Sequence, residues 1–321
     1  MRRWLVAAVA AAVLAAGAAG LQAAPEAVTL ELKGTPKAEA RYATTLDMVM
    51  DLTVKNPENG AEVLSVNPRL EGRAVTIQRV IEVADNGDLT MGGQIESFNI
   101  KLDVADLHAQ LAIEGPEGGP PKLIKLPALP IRTVVTKRGQ VVAIKGLEGL
   151  IPPLPGPGGQ KIDIGQFLTK IVSQFSEPVY PDKPVSVGET WGWKMTMDPA
   201  AMAETMGFPM PPEAKAQMAP MKFPIAVNYR LAGFETVNGV ECAKIEAEAP
   251  WELNMPMGPP EQKQGTLHES GTTKVTTWFD HAAGRAVREH TEFGMQMTMT
   301  MGASTPVNMT MRMTGDTELQ Q

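Results

Sequence analysis

The chain has 321 residues, a formal charge of −7, 43% hydrophobic residues and only 5% aromatic ones. A chain of this length can build its own core from aliphatic side chains, and its single Cys242 rules out an intramolecular disulfide. The acidic balance argues against nucleic acid or an anionic lipid surface as partner.

The first residues read as an export signal. Arg2 and Arg3 form a positive start, Leu5 to Ala19 is an unbroken Ala, Val and Leu run with one Gly, and Gly20, Ala23 and Ala24 precede Pro25. This is the layout of a cleavable secretory signal, with cleavage expected after Ala23 or Ala24. The apolar run is short and Ala-rich for a span, which needs about 20 strongly apolar residues; an uncleaved anchor is the alternative. No Cys lies near the cleavage region, so lipid modification there is excluded. Loss of Arg2 and Arg3 takes the charge from −7 to −9. The expected location is periplasmic or extracellular, with no stable transmembrane anchor after cleavage.

Alternation with period two then dominates. Tyr42, Thr44, Leu46, Met48, Met50, Leu52 and Val54 share one face of a strand, with Arg41, Thr45, Asp47, Asp51 and Lys55 on the other. The pattern recurs over Val75–Val83 and, beyond a turn at Asp85-Asn86-Gly87-Asp88, over Phe98–Val104. Ile131–Ile144 reads as a hairpin across Lys137-Arg138-Gly139-Gln140. Trp191, Trp193, Met195 and Met197 line another strand, and Phe223–Leu231 a further one. Asn238-Gly239 is a two-residue hairpin signal. The strand after it starts with Val240 and Cys242 inward and changes phase to Ala243, Ile245, Ala247 and Ala249, as a β-bulge would cause. Thr273–Phe279 turns at Asp280–Gly284 into Val287–Met301, and Val307–Met313 is the last strand.

Helix is scarce. Ile162–Phe175 carries a broad apolar stripe at helical spacing, and Pro199–Met206 suits a second short helix. Gly115–Pro130, Ile151–Gly159, Gly207–Pro220 and Pro256–Pro260 are Pro- or Gly-rich loops. The expected organisation is a signal peptide at 1–24, an N-terminal β-rich half at 25–150, a linker at 151–160, and a helix with a C-terminal β-rich half at 161–321.

No G-x-S-x-G, H-E-x-x-H, Walker loop or dinucleotide fingerprint occurs, so no catalytic residue, cofactor or metal ligand is assigned. His108, His268, His281 and His290 are scattered and read as surface residues. Cys242 reads as a small buried apolar residue. The distinctive feature is methionine. Met295, Met297, Met299 and Met301 alternate on one strand, and Met309, Met311 and Met313 on the next. A simple hairpin through Gly302–Pro306 would set Met299 opposite Met309, Met297 opposite Met311 and Met295 opposite Met313. Three readings of this ladder stay open: core filling, an adaptable wall for an apolar ligand, and soft-ion binding of Cu(I).

The segment Pro181-Asp182-Lys183-Pro184-Val185-Ser186-Val187-Gly188-Glu189-Thr190-Trp191 is followed by Tyr229-x-Leu231-x-Gly233, Asn238-Gly239 with a nearby Cys, and Phe279-Asp280…Gly284. Over roughly 181–293 this resembles uncharacterised secreted bacterial β-rich proteins. The strand-rich layout also resembles the periplasmic lipoprotein-carrier (LolA/LolB-like) group, which implies a curved, incomplete antiparallel barrel under helices.

These readings lead to a mainly β fold: a large curved antiparallel sheet, half-barrel-like, or two related β halves, with one or two helices on an apolar face. The function they imply is non-enzymatic binding of a hydrophobic small molecule, lipid or acyl chain, with Met295, Met297, Met299, Met309, Met311 and Met313 lining the site. A structural or interaction protein of the cell envelope with a filled core is the alternative.

Overall fold

The computed structural model describes residues 27–55, 59, 61–104, 107–109, 132–145, 154–155, 161–162, 179–197, 223–257, 265–301 and 306–320. The expected signal, the helix at Pro199–Met206 and the loops Gly115–Pro130 and Gly207–Pro220 lie outside them. So does the expected Ile162–Phe175 helix apart from Ile162. That residue belongs instead to a two-residue strand, β9 (Lys161–Ile162), which pairs with β8 (Leu154–Pro155). A short apolar run fits either periodicity, and here a local partner decides for strand. No helix occurs among the described residues, and so none long and apolar enough to cross a membrane.

The remaining elements form one open antiparallel sheet of 13 strands. From one end its path runs through β10 (Thr190–Met197), β11 (Phe223–Val237), β12 (Val240–Met257), β13 (Gly265–Asp280), β14 (Arg285–Met301) and β15 (Val307–Gln320). It continues through β1 (Glu39–Lys55), β3 (Arg69–Val83), β4 (Leu89–Val104), β6 (Arg132–Val135) and β7 (Val141–Lys145). Two short strands lie off this path: β2 (Glu62–Val66) pairs with β1 and β5 (Leu107–Ala109) with β4. The first and last long strands of the chain are neighbours, with Met48 opposite Met313 and Tyr42 opposite Leu319. N- and C-terminal strands therefore share one continuous sheet.

Turn chemistry sets three of the connections. Asn238 and Gly239 both take positive φ, 53° and 80°, the backbone a tight twisted hairpin requires. Asp280 Oδ1 accepts from the N–H groups of Ala282 and Ala283 at 3.0 and 2.8 Å, which closes the β13–β14 turn. Asn86 Oδ1 accepts from Asp88 N at 3.1 Å in the β3–β4 turn. The phase change expected on β12 arises on its partner. Leu231 pairs with Ile245 and Gly233 with Lys244, so Ala232 of β11 is the bulged residue. Cys242 thus lies opposite Glu235, on the other face from Ala243, and both Cys242 and Ala243 are fully buried.

The two faces of the sheet differ sharply. One carries cross-strand ion pairs: Arg69–Asp47 and Arg230–Glu246 at 2.6 Å, and Lys244–Glu235 at 2.8 Å. Exposed pairs of this kind add little stability singly. Their effect is on register, because a one-residue slip would turn every charge to the apolar side. On the same face Trp278 donates to Glu235 at 2.7 Å and lies under Lys244 and Arg288.

Among the described residues, the other face is packed at one end. Leu231, Ala243, Ile245 and Phe279 form the floor of a buried cluster, and Val28, Leu30, Tyr180 and Val185 form its lid. The segment from Val28 is stitched down by Val28–Val185 hydrogen bonds of 2.9 Å, by Leu32 N to Lys137 O at 2.7 Å and by Lys33 N to Gly284 O at 2.9 Å. Tyr180 N donates to Arg138 O of the β6–β7 turn at 3.0 Å, while the Trp191 indole of β10 donates to Val179 O at 2.9 Å. One dipeptide, Val179-Tyr180, thus touches elements from both ends of the sheet path. That is possible only because the sheet curls, yet no strand ladder joins β7 to β10 among the described residues.

Burial pushes the Cys242 thiol up to about 11, with Asp280 adding to the effect. The thiolate is the reactive form. In the native protein a maleimide or disulfide reagent should therefore label Cys242 slowly, and at the rate of a free thiol once urea unfolds the chain. Rapid native labelling, followed by mass spectrometry, would contradict this packing.

Candidate functional site

The methionine ladder forms on the apolar face, in a register different from the one a simple hairpin predicts. Met297 faces Met309 and Met295 faces Met311, while Met313 pairs with Phe293 and Met299 with Val307. The shift is two residues, so the methionines keep their face. Contacts elsewhere along the hairpin select this register: His290 lies opposite Asp316, with Nδ1 3.0 Å from Oδ1, and Thr298 donates to Asn308 at 3.0 Å.

The ladder is one part of a wider apolar surface. Across β13, β14, β15 and β1 one row reads Gly271, Met295, Met311, Met50, and the next Thr273, Phe293, Met313, Met48. A third row reads Glu269, Met297, Met309, Leu52. Trp251 of β12 is opposite Gly271, and its ring occupies the space that a Cβ there would need. Phe293 stacks beside it, 6.3 Å between centroids. Strands lie about 4.8 Å apart, so these five strands give a mainly apolar surface about 19 Å across, with Glu269 and Thr273 of β13 its polar members. Its side chains are half-buried: none of Met295, Met297, Met299, Met309, Met311 and Met313 is among the core residues.

Toward the packed end the same face becomes polar. Beyond one intervening row of Val275, Thr291, Gly315 and Leu46, the next runs Thr277, Glu289, Thr317, Thr44. Thr44 and Thr317 share a hydroxyl–hydroxyl hydrogen bond of 3.1 Å, and Tyr42 Oη donates to Ala286 O at 3.2 Å. Tyr42, Thr44, Ala286, Glu289 and Thr317 border a half-open cavity of about 870 Å³, whose other walls include Val80, Leu89, Val135 and Tyr180. Glu289 is half-buried, and burial pushes its carboxyl above the usual carboxylate range. Burial likewise raises Tyr42 and Tyr180, so both phenols are neutral donors at neutral pH.

Reading the sequence for motifs passes over this cavity, although one signal was present. On β14 the odd positions Phe293, Met295, Met297 and Met299 are apolar, and Glu289 stands in phase with them. A carboxylate in phase with four apolar side chains of one strand is the departure worth following. The histidine reading also changes. His290 has two carboxylate neighbours on the charged face, Asp316 and then Glu292, and the hydrogen bond to Asp316 raises its pKa.

The fold and site together define an open, curled antiparallel sheet with one charged face and one apolar face that ends in a cavity. No family model matches the chain, and no curated protein does. Solved structures give distant likenesses. A lipovitellin structure, determined to show lipid–protein interactions, is 10% identical over 89% of this chain with a TM-score of 0.39, and this chain spans only 25% of it. OpdQ of Pseudomonas aeruginosa is 8% identical over 88% of this chain and 98% of its own, at a TM-score of 0.26. The translocator domain of the autotransporter NalP from Neisseria meningitidis is 9% identical over 98% and 96% of the two chains, at 0.13. The lipoprotein-carrier likeness expected from the strand layout finds no support in these matches.

Proposed function

We propose that this is an exported, non-enzymatic protein that holds an apolar ligand, a lipid or acyl chain, on the open face of its sheet. The half-burial of the methionine, phenylalanine and leucine rows carries this reading. Unbranched thioether side chains repack around varied partners, and a wet apolar surface of this breadth marks a binding face in a soluble protein. Among the described residues the strand contacts are consistent with it, since every substantial one runs between hydrogen-bonded neighbours. Export follows from the Arg2-Arg3 start and the Ala-rich run after it.

One preparation tests both halves of the proposal. Protein purified from its own cell envelope under non-denaturing conditions is weighed intact by native mass spectrometry. The expected result is a chain beginning between Leu21 and Ala27 that carries added mass released by organic solvent as lipid. A bare chain, together with losses of about 2–5 kcal/mol for each single Met→Ala change in the ladder, would support the envelope protein with a filled core instead. A chain that retains Met1 would defeat the export proposal.

A further inference from the structure

We propose that the cavity at Glu289 takes the head group of an amphiphile, and that this head group is a hydrogen-bond-donating cation such as a long-chain amine. The inference rests on the apolar-ligand reading and adds the ligand's chemical class and its direction on the sheet.

The first support is continuity. Glu289 and Phe293 lie on the same strand and face, and so do Thr317 and Met313, so four residues separate polar row from apolar row. At about 3.4 Å per residue that is about 14 Å. A tail lying over Phe293, Met295 and Met311 therefore points its head at the Glu289–Thr317–Thr44 row. The far end of that path is closed by the buried cluster around Tyr180 and Phe279.

The second support is an unmet acceptor. Among the described residues no hydrogen bond or ion pair reaches the Glu289 carboxylate, although two of the three cations around the cavity have carboxylate partners. Lys33 lies 3.9 Å from Glu31 and donates to His281 O at 3.3 Å. Arg288 lies on the charged face, 3.4 Å from Asp316. Arg285 is exposed at the rim, where its charge acts on Tyr42. The Tyr42 hydroxyl is committed to Ala286 O, and the Thr44 and Thr317 hydroxyls to each other. A half-buried carboxylate without a donor is costly to hold and gains a strong, short hydrogen bond when an ammonium arrives. A fatty acid or phosphate head would meet like charge there.

The third support is shape. The cavity's volume of about 870 Å³ is far more than a head group fills, and Leu89, Val80 and Val135 give its remainder apolar walls. The ligand's first methylenes would lie against these before the chain reaches the methionines.

The test uses the neutral dye N-phenyl-1-naphthylamine bound to the full mature chain and displaced by dodecylamine, dodecanol or dodecanoate, each below its micelle concentration. On the unaltered protein the amine should displace the dye at about tenfold lower concentration than the carboxylate, with the alcohol between them. In Glu289→Gln, which keeps the side chain's shape, dye binding should persist and the amine should lose its advantage. Dodecanoate competing as well as dodecylamine on the unaltered chain would overturn this inference while leaving the apolar face intact. A parallel Glu269→Gln variant should keep the amine's advantage, because Glu269 stands opposite Met297 and outside the cavity; loss of the advantage there would overturn the assignment to Glu289. Absence of dye binding would overturn the apolar-ligand reading and this inference with it.

Discussion

Phe279→Ala is expected to destabilise the protein by about 3–5 kcal/mol and to lower its Tm by on the order of 10 °C. Phe279 has no exposed surface, sits opposite the fully buried Ala243, and lies 4.7 Å from the Tyr180 ring. It is also the floor on which Val28, Leu30 and Val185 rest. Removing it leaves a cavity beneath a lid held by only a few backbone hydrogen bonds, so the loss should exceed the simple transfer cost of the ring. Urea melts followed by circular dichroism give the number. A change below about 1 kcal/mol would mean that this end of the sheet is not packed as described.

The opposite end of the same face should behave in the opposite manner. Replacing Met295 and Met311 together by Gln keeps length and flexibility and removes two thioethers from facing positions of one row. Full burial of one such side chain is worth about 1.5–3 kcal/mol. Two half-buried ones should together contribute about that much to a bound apolar chain, so dye affinity should fall by about tenfold to a hundredfold. Stability should change by less than about 1 kcal/mol, because solvent already reaches both positions and the backbone ladder is untouched. Unchanged dye binding with a large stability loss would assign these residues to a core. The pair of variants separates the two ends of the face, one tuned for folding and one for occupancy.

How much of this was legible in the sequence depends on what each feature rests on. Strands were legible because alternation is a local property: Tyr42 to Val54 lies within β1, and Trp191 to Met197 within β10. Turns were legible for the same reason, since Asn238-Gly239 and Asp280–Gly284 carry their backbone requirements in their own residues. The strand ends were not. The last strand reaches Gln320, past the Met313 where alternation of large apolar groups stops. Its Thr-Gly-Asp-Thr stretch is held by pairing with β1 and β14, neighbours that no window of the chain contains.

The packed cluster was less legible still. Val28 and Leu30 belong to no regular strand, and they are buried because residues some 150 to 250 positions away happen to meet them. The methionine ladder was visible as a face, but its register was not, since spacing alone gives the same faces for every even offset. The cavity escaped because its residues are ordinary one by one. Only the cross-strand row that joins Glu289 to Thr317 and Thr44 makes them a site.

The β14–β15 connection has a consequence for how this protein can change length. It lies between two strands whose opposite faces differ completely in chemistry: methionine on one, and Gln296, Thr298, Asn308, Thr310 and Arg312 on the other. Two residues gained or lost in 302–306 slide β14 along β15 by whole pairs and return every side chain to the face it left. A gain or loss of one that the loop cannot absorb would send an arginine inward and a thioether outward along the entire hairpin. Natural and engineered length variants of this loop are therefore expected to accumulate at even counts, and an odd one to survive only where a bulge takes up the extra residue.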